Sequence, residues 1–455
     1  MEAQSIKRPP GPARVTANPL SLWAYMRRMQ RDPVSRVAER FAQYGDLYYA
    51  PFLRRDVYVL RHPEHIHEVL VTQASKFEKP SEGLTASQLR RLLGEGLLNS
   101  NGELWRRQRR MIQPAFRKER LDEYAQIILD HAMLWLRERK DGEELDLSRE
   151  MMELTLGIVC KTLFDHAVTT ESDDVASAMR VFRQTFGGLD AVLPDWLPTP
   201  SKRRARNALL RVDQIVYGLI DREQSFAHEN LASRLAKAVD EEGDQQGMSR
   251  RQLRDELLTL FIAGHETTSH ALSWTFHLLA QHPDVAQRLQ AEIDAVVGTE
   301  RPRLSHLFQL PYLEQVLSEA MRLYPPAYVL ARVAAEDAQL GGYGVPKGAD
   351  VVMWIYHTHH DARWFADPER FDPERFAPER RKQLPQSAYV PFGAGTRTCI
   401  GKQFAIMEAQ LIMLCIAQRF SFVALSREPP ARDMNVTLAP RGGLRMRLSE
   451  RTAQR

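Results

Sequence analysis

The sequence predicts a mainly α fold with a small β subdomain, on three observations. A helical pattern opens at Ser249, whose spacing to Gln252 is that of a capping box, and continues through DELLTLFIAGHETTSHALSWTFHLLAQ until His282 and Pro283 stop it. A second helix, within LPYLEQVLSEAMRLYPP, is bounded by Pro311 in its first turn and by the Pro325-Pro326 pair. Strand signals are few and short, too few to organise the whole chain: DLYYAPF, RRDVYVLR, the region of ADVVMWIY and a hairpin-like NVTLAPRGGLRMRL.

From the amino terminus, IKRPPGPARV is barred from helix by Pro9, Pro10 and Pro12, and residues 1–20 read as a Pro-rich extension. Residues 21–455 read as a single domain. The length suggests about three domains, but the most polar interruption, DEEGDQQGMSR at 240–250, is short and leads straight into the capped helix. Residues 104–120, LWRRQRRMIQPAFRKER, form a dense basic run with one acid, open to reading as a solvated helix face or a docking surface. The capped helix, at about 32 residues, extends roughly 48 Å and could cross a domain. Gly264 sits near its middle, where glycine costs about 1 kcal/mol relative to alanine, and close approach of a ligand would compensate. PERFDPERF at 368–376 is a local duplication and not a repeat architecture. Residues 81–98 and 182–200 look loop-like.

With 455 residues and 44% apolar content the chain can bury a large core. Lysine and arginine number 62 against 58 acids, an excess of +4 that is too weak to imply nucleic acid. Three cysteines, Cys160, Cys399 and Cys415, are too few and too scattered for a disulfide framework or a four-thiolate zinc site. No segment approaches the roughly 18 to 20 apolar residues that span a bilayer, so no membrane anchor is expected.

The chemistry concentrates at 392–401, FGAGTRTCIG, which sets a cysteine in a glycine-punctuated turn two residues after an arginine. A thiolate metal ligand needs backbone N–H groups turned toward sulfur, and Gly393, Gly395 and Gly401 permit the positive φ that brings them there. A buried free cysteine in a tight turn is the plain alternative. On the long helix, Glu266 and Thr267 put a carboxylate and a hydroxyl side by side next to Gly264, where the hydroxyl could leave its usual backbone bond. HETTSH is not a zinc-protease motif, because His265 and His270 are five apart and diverge by about 140° on a helix. Glu319 and Arg322, three apart, share a helix face.

The pattern F-x-x-G-x-R-x-C-x-G resembles the haem-binding signature of the cytochrome P-450 superfamily, and AGHETT resembles its helix motif of an acid followed by an alcohol. The resemblance implies a triangular helical haem domain with a long central helix, and haem b held by the Cys399 thiolate. It implies Thr267 as the oxygen-activating residue, Glu266 as its proton partner, and Glu319, Arg322 and Arg375 as a buried network serving fold and haem incorporation. Cofactor contacts are implied for Trp105, Arg109, Ala263, Arg332, Phe392, Gly393, Arg397 and Gly401. A substrate pocket is implied at Phe261, Ala263, Ala327, Val329, Thr437 and Leu438, each equally readable as plain core. The expected activity is monooxygenation of a fatty acid, terpenoid or steroid, in that order, with O₂ as co-substrate. Electrons would come from NAD(P)H through a reductase and a ferredoxin or flavodoxin, docking on Arg106, Arg107, Arg110, Arg117, Lys118 and Lys402. The protein is expected to be cytoplasmic and monomeric. A peroxide-using haem-thiolate enzyme and a non-catalytic haem sensor or carrier are the alternatives.

Overall fold

The structure is a computed structural model that describes residues 7–451 except 17, 83, 165–198, 224–229, 244 and 427. The chain divides into two compact units, and the helical dominance expected from the sequence holds in the described residues.

The first unit comprises residues 1–88, 327–370 and 382–399. It begins with α1 (Pro19–Arg31) and α2 (Pro33–Tyr44), the latter opened by Asp32, whose side chain accepts from Ser35 N–H. Its sheet runs in the order β1 (Leu47–Tyr49), β2 (Val57–Leu60), β8 (Asp350–Met353), β5 (Leu330–Ala334) and β3 (Phe77–Glu78). β2 and β8 are parallel and the other pairs antiparallel. Tyr58, Leu60, Ile66, Val351 and Met353 pack as its core. The unit also holds the hairpin of β6 (Ala338–Leu340) and β7 (Tyr343–Val345), the short α3 (Pro63–His67) and α13 (Ile355–His359).

The second unit comprises residues 89–326, 371–381 and 400–455. The helix α4 (Leu84–Leu93) makes residues 81–98 in large part helical and not the loop expected; Leu92 and Leu93 are buried, and no β-branched residue lies in its last turn. Then follow α5 (Gly102–Ile112), α6 (Lys118–Arg137), α7 (Leu147–Phe164), α8 (Pro200–Glu223), α9 (Leu231–Lys237), α10 (Arg250–Gln281), α11 (Pro283–Val296), α12 (Pro311–Leu323), the short α14 (Pro378–Arg381) and α15 (Lys402–Arg419). α10 starts where the capping pattern placed it, with Ser249 accepting from Gln252 N–H at 3.2 Å, and ends at His282. Its inner faces pack on α7, α8 and α9 through Val159, Leu163, Val216, Leu235, Leu257 and Leu258.

The expected carboxy-terminal hairpin does not form. β11 (Leu438–Pro440) pairs with β10 (Arg432–Met434), while β12 (Arg445–Glu450) lies between β9 (Phe420–Ala424) and β4 (Glu144–Asp146). Gly442 and Gly443, at φ +82° and +85°, turn the chain out of one pairing and into the other. β4 and β9 offered only three and five residues of pattern, too little to compete with the long helices beside them.

Candidate active site

In the first unit the cysteine loop forms a turn in which Cys399 N–H donates to Phe392 O at 3.0 Å and the thiol is exposed. Gly393 and Gly395 have φ of +70° and +68°, as expected. At Gly395 a side chain is doubly excluded, since a Cβ would lie 1.9 Å from the Leu70 carbonyl oxygen. Gly401 departs from the expectation. Its φ is −88°, and it serves as the residue preceding α15 rather than as a left-handed turn.

The same unit gathers cations. Glu78 on β3 pairs with Val333 on β5, so the next antiparallel positions set Lys79 beside Arg332. Like charges opposite one another across a sheet repel. Loss of hydration, then Arg332 and Arg397, push the Lys79 ammonium down to about 7. Burial, then Arg397, lower Arg332 to about 10. Three cations gathered in this way make a receptor for an anionic group, as two propionates would be. Arg332 and Arg397 were legible from the motifs. Lys79, in FEKP, carries no sequence signal, and only the strand register reveals it.

In the second unit α10 is buried almost throughout from Leu253 to Leu279. The exceptions are Leu260, Ala263, Gly264 and Thr267, spaced so that they form one open stripe. Ala263 is exposed and Thr267 half-buried. Glu266 lies beside the stripe at 5% exposure, its Oε1 accepting from the Thr437 hydroxyl at 3.0 Å. Two expectations change here. Thr267 Oγ1 donates to Ala263 O at 2.8 Å, so its hydroxyl has not left the backbone. Gly264 is explained by packing, since a Cβ would stand 3.0 Å from Val159 Cγ2 on α7.

The ionic network forms as the motifs implied. Arg322 Nε and Nη2 reach Glu319 at 2.7 and 2.8 Å, both side chains having no accessible surface, and Arg375 Nε adds a third contact at 3.3 Å. Asp372 N–H donates to the same carboxylate at 3.0 Å.

Other residues are placed less simply. Trp105 and Arg109 are half-buried on α5, and Ala327 and Val329 are half-buried in the first unit. Phe261 and Thr437 are nearly covered, and Leu438 has no accessible surface; its carbonyl accepts from Trp274 Nε1 at 3.1 Å. Leu438 is therefore core, drawn inward by the strand pairing that replaced the hairpin. Of the docking cations, Arg110 is held by Asp240 at 2.9 Å, and Arg107 by Asp240 at 3.7 Å and by the carbonyls of Gln246 and Gly247. They fasten the 240–247 loop to α5. Arg106 pairs with Glu103 at 3.1 Å, while Arg117, Lys118 and Lys402 are exposed. Residues 182–198 of the second loop region lie outside the described residues.

The family model for cytochrome P450 matches residues 9–445. The chain belongs to the cytochrome P450 family. It is similar to cyclooctat-9-en-7-ol 5-monooxygenase of Streptomyces melanosporofaciens, 35% identical over 90% of this chain and 88% of that one. Pentalenene oxygenase of Streptomyces avermitilis is 33% identical over 93% and 94%. A solved cyanobacterial P450, retinoic acid-bound CYP120A1, matches with a TM-score of 0.86 and 26% identity, over 98% of this chain and 100% of that one. The fold is thus the P450 fold, and the protein is a monooxygenase whose family cofactor is haem on a cysteine thiolate. The residues of the first unit fit that group: an accessible cysteine in a glycine turn and a cluster of cations. Among the described residues no helix is long and apolar enough to cross a membrane.

Proposed function

We propose that this P450 inserts one oxygen atom from O₂ into a terpenoid-type substrate, using electrons from NAD(P)H relayed by a reductase and a ferredoxin or flavodoxin. One observation carries the reading: the open stripe of the buried α10 ends at Thr267 with the Glu266 carboxylate directly beside it. The terpenoid choice, ahead of the fatty acid that the sequence put first, is supported by relatives named for cyclooctatin-type and pentalenene oxidation. Arg117, Lys118, Arg106 and Lys402 are the surface proposed for the acidic electron donor, in a cytoplasmic monomer.

Cys399 would hold the iron, and Lys79, Arg332 and Arg397 the propionates, with Trp105 and Arg109 as further partners. Phe392, Gly393 and Gly401 would shape the loop, and Ala263 would flank the cofactor. When bound, thiolate-ligated haem supplies the electron-rich iron centre at which O₂ is reductively activated. The protein supplies the rest. Glu266, whose Oε1 accepts from the Thr437 hydroxyl, stands beside the stripe to pass protons, and Thr267, by rotating its hydroxyl from Ala263 O, presents a donor to the open face. Ala263 on α10 and, in the first unit, Ala327 and Val329 are each proposed as apolar surface toward a hydrocarbon, with Phe261 packed behind the α10 stripe. Glu319, Arg322 and Arg375 act on fold and haem loading alone.

Thr267→Ala tests the reading. Haem content should stay at the wild-type level while reducing equivalents divert to peroxide or water. Unchanged coupling of cofactor oxidation to product would remove Thr267 from the chemistry. Turnover by peroxide alone, without any reducing partner, would favour the peroxide-using alternative.

A further inference from the structure

The spacing that excludes His270 from a zinc motif places it one turn after Glu266, on the same face of α10. The structure closes the gap with a third residue. Thr437 Oγ1 lies 3.0 Å from Glu266 Oε1 and 3.1 Å from His270 Nδ1. All three side chains are at most 8% exposed. Thr437 immediately precedes β11, which is tied to α10 by Trp274 Nε1 donating to Leu438 O, so the hydroxyl's position is set by neighbours and not by its own rotation alone. Asn435, two residues earlier, is exposed.

Hydrogen-bond capacity fixes the polarity. The Thr437 hydroxyl donates its single proton to Glu266 Oε1, so its oxygen accepts from His270 Nδ1–H. We propose that His270, acting through Thr437, is the proton-loading end of a relay that ends on Glu266. In the loading step the Nδ1 proton of the His270 imidazolium forms a bond to Thr437 Oγ1 while the hydroxyl's own proton breaks away to Glu266 Oε1. His270 ends neutral with its proton on Nε2, Glu266 ends as the neutral acid, Thr437 remains a hydroxyl, and no heavy atom moves. His270 is thus a positioning residue that works through Glu266, and Thr437 belongs to proton handling rather than to the substrate pocket. This deepens the proposed oxygen chemistry and rests on Glu266 serving it.

The test uses the haem-loaded enzyme with ¹⁵N-labelled histidine, held in the diamagnetic ferrous carbon monoxide form at pH 7. His270 signals are assigned by their loss in His270→Asn. Glu266→Gln should move the His270 ring signals toward the neutral form, and Thr437→Val should make them insensitive to Glu266→Gln, whereas Thr437→Ser should preserve the response. In parallel, the rate at which reduced enzyme returns to the ferric state in air should fall at least fivefold in His270→Asn, Thr437→Val and Glu266→Gln, and stay at wild type in Thr437→Ser. His270 signals that ignore Glu266→Gln overturn the relay, as does a wild-type rate in His270→Asn beside a slow Glu266→Gln. A wild-type rate in Glu266→Gln itself overturns the reading of the site as well. If His270→Asn does not fold, the Thr437→Ser and Thr437→Val pair decides.

Discussion

Replacing Glu256 by glutamine should give a stability advantage over wild type that grows as pH rises, by an amount set chiefly by burial. Glu256 sits on α10 with no accessible surface, and its Oε2 accepts from Leu97 N–H at 2.9 Å. Its Oε1 has no hydrogen-bond partner among the described residues. Burial lifts the carboxyl from 4.5 to about 8; the Leu97 N–H opposes this and the Asp255 charge adds to it. The folded protein therefore holds a proton that the unfolded chain has released between those two values. The contribution of Glu256 is highest below 4.5, where both states are protonated, and falls as pH rises toward 8, where the loss levels off. At about 1.36 kcal/mol per pH unit, the loss between pH 5 and 7.5 is roughly 3 kcal/mol. Glutamine keeps an oxygen for Leu97, puts an N–H₂ where the acid's O–H stood and cannot ionise. Urea unfolding of the haem-loaded protein at pH 5, 6 and 7.5 should show the advantage of Glu256→Gln over wild type growing by about 3 kcal/mol across that range. The variant keeps some slope, because burial also raises Glu408 to about 8. Wild-type and variant curves that run parallel in pH would refute the assignment of a buried neutral acid at this position.

Gly395→Ala should abolish haem loading, read as loss of the thiolate-type ferrous carbon monoxide band, because its Cβ would fall 1.9 Å from Leu70 O at a φ of +68°; a normal band would show that the loop can move. Glu319→Gln leaves Arg322 buried without its counter-charge and should cost about 3 to 5 kcal/mol, measured by thermal unfolding, with haem content falling in step. Charge reversal of Arg117 and Lys118 should slow reduction by a ferredoxin at low salt and not at high salt. Arg110→Glu should instead loosen the loop held at Asp240, seen as faster amide exchange at 240–247.

Much of this chemistry was legible in one dimension, because its signals are local. The turn around Cys399, the capped start of α10 at Ser249, the Pro-bounded α12 and the i,i+3 pair of Glu319 and Arg322 each depend on residues a few positions apart, and each stands where its pattern put it. The missing parts depend on partners far along the chain. β12 chose β9 and β4 over its sequence neighbour, which took Leu438 into the core and set Thr437 against α10. Arg107 and Arg110, exposed cations by composition, became ties to Asp240 about 130 residues away. Gly264 answered to Val159 on a different helix.

The sequence by itself determined the family, the glycine turn that carries Cys399 and the placing of an acid beside an alcohol on α10, since covalent spacing on a turn or helix face suffices to bring those groups together. Only tertiary structure decided which cations crowd into a receptor, which carboxyl is kept neutral by burial, and which histidine meets Glu266 across a threonine, because hydration and charge–charge forces depend on distance through space and not along the chain.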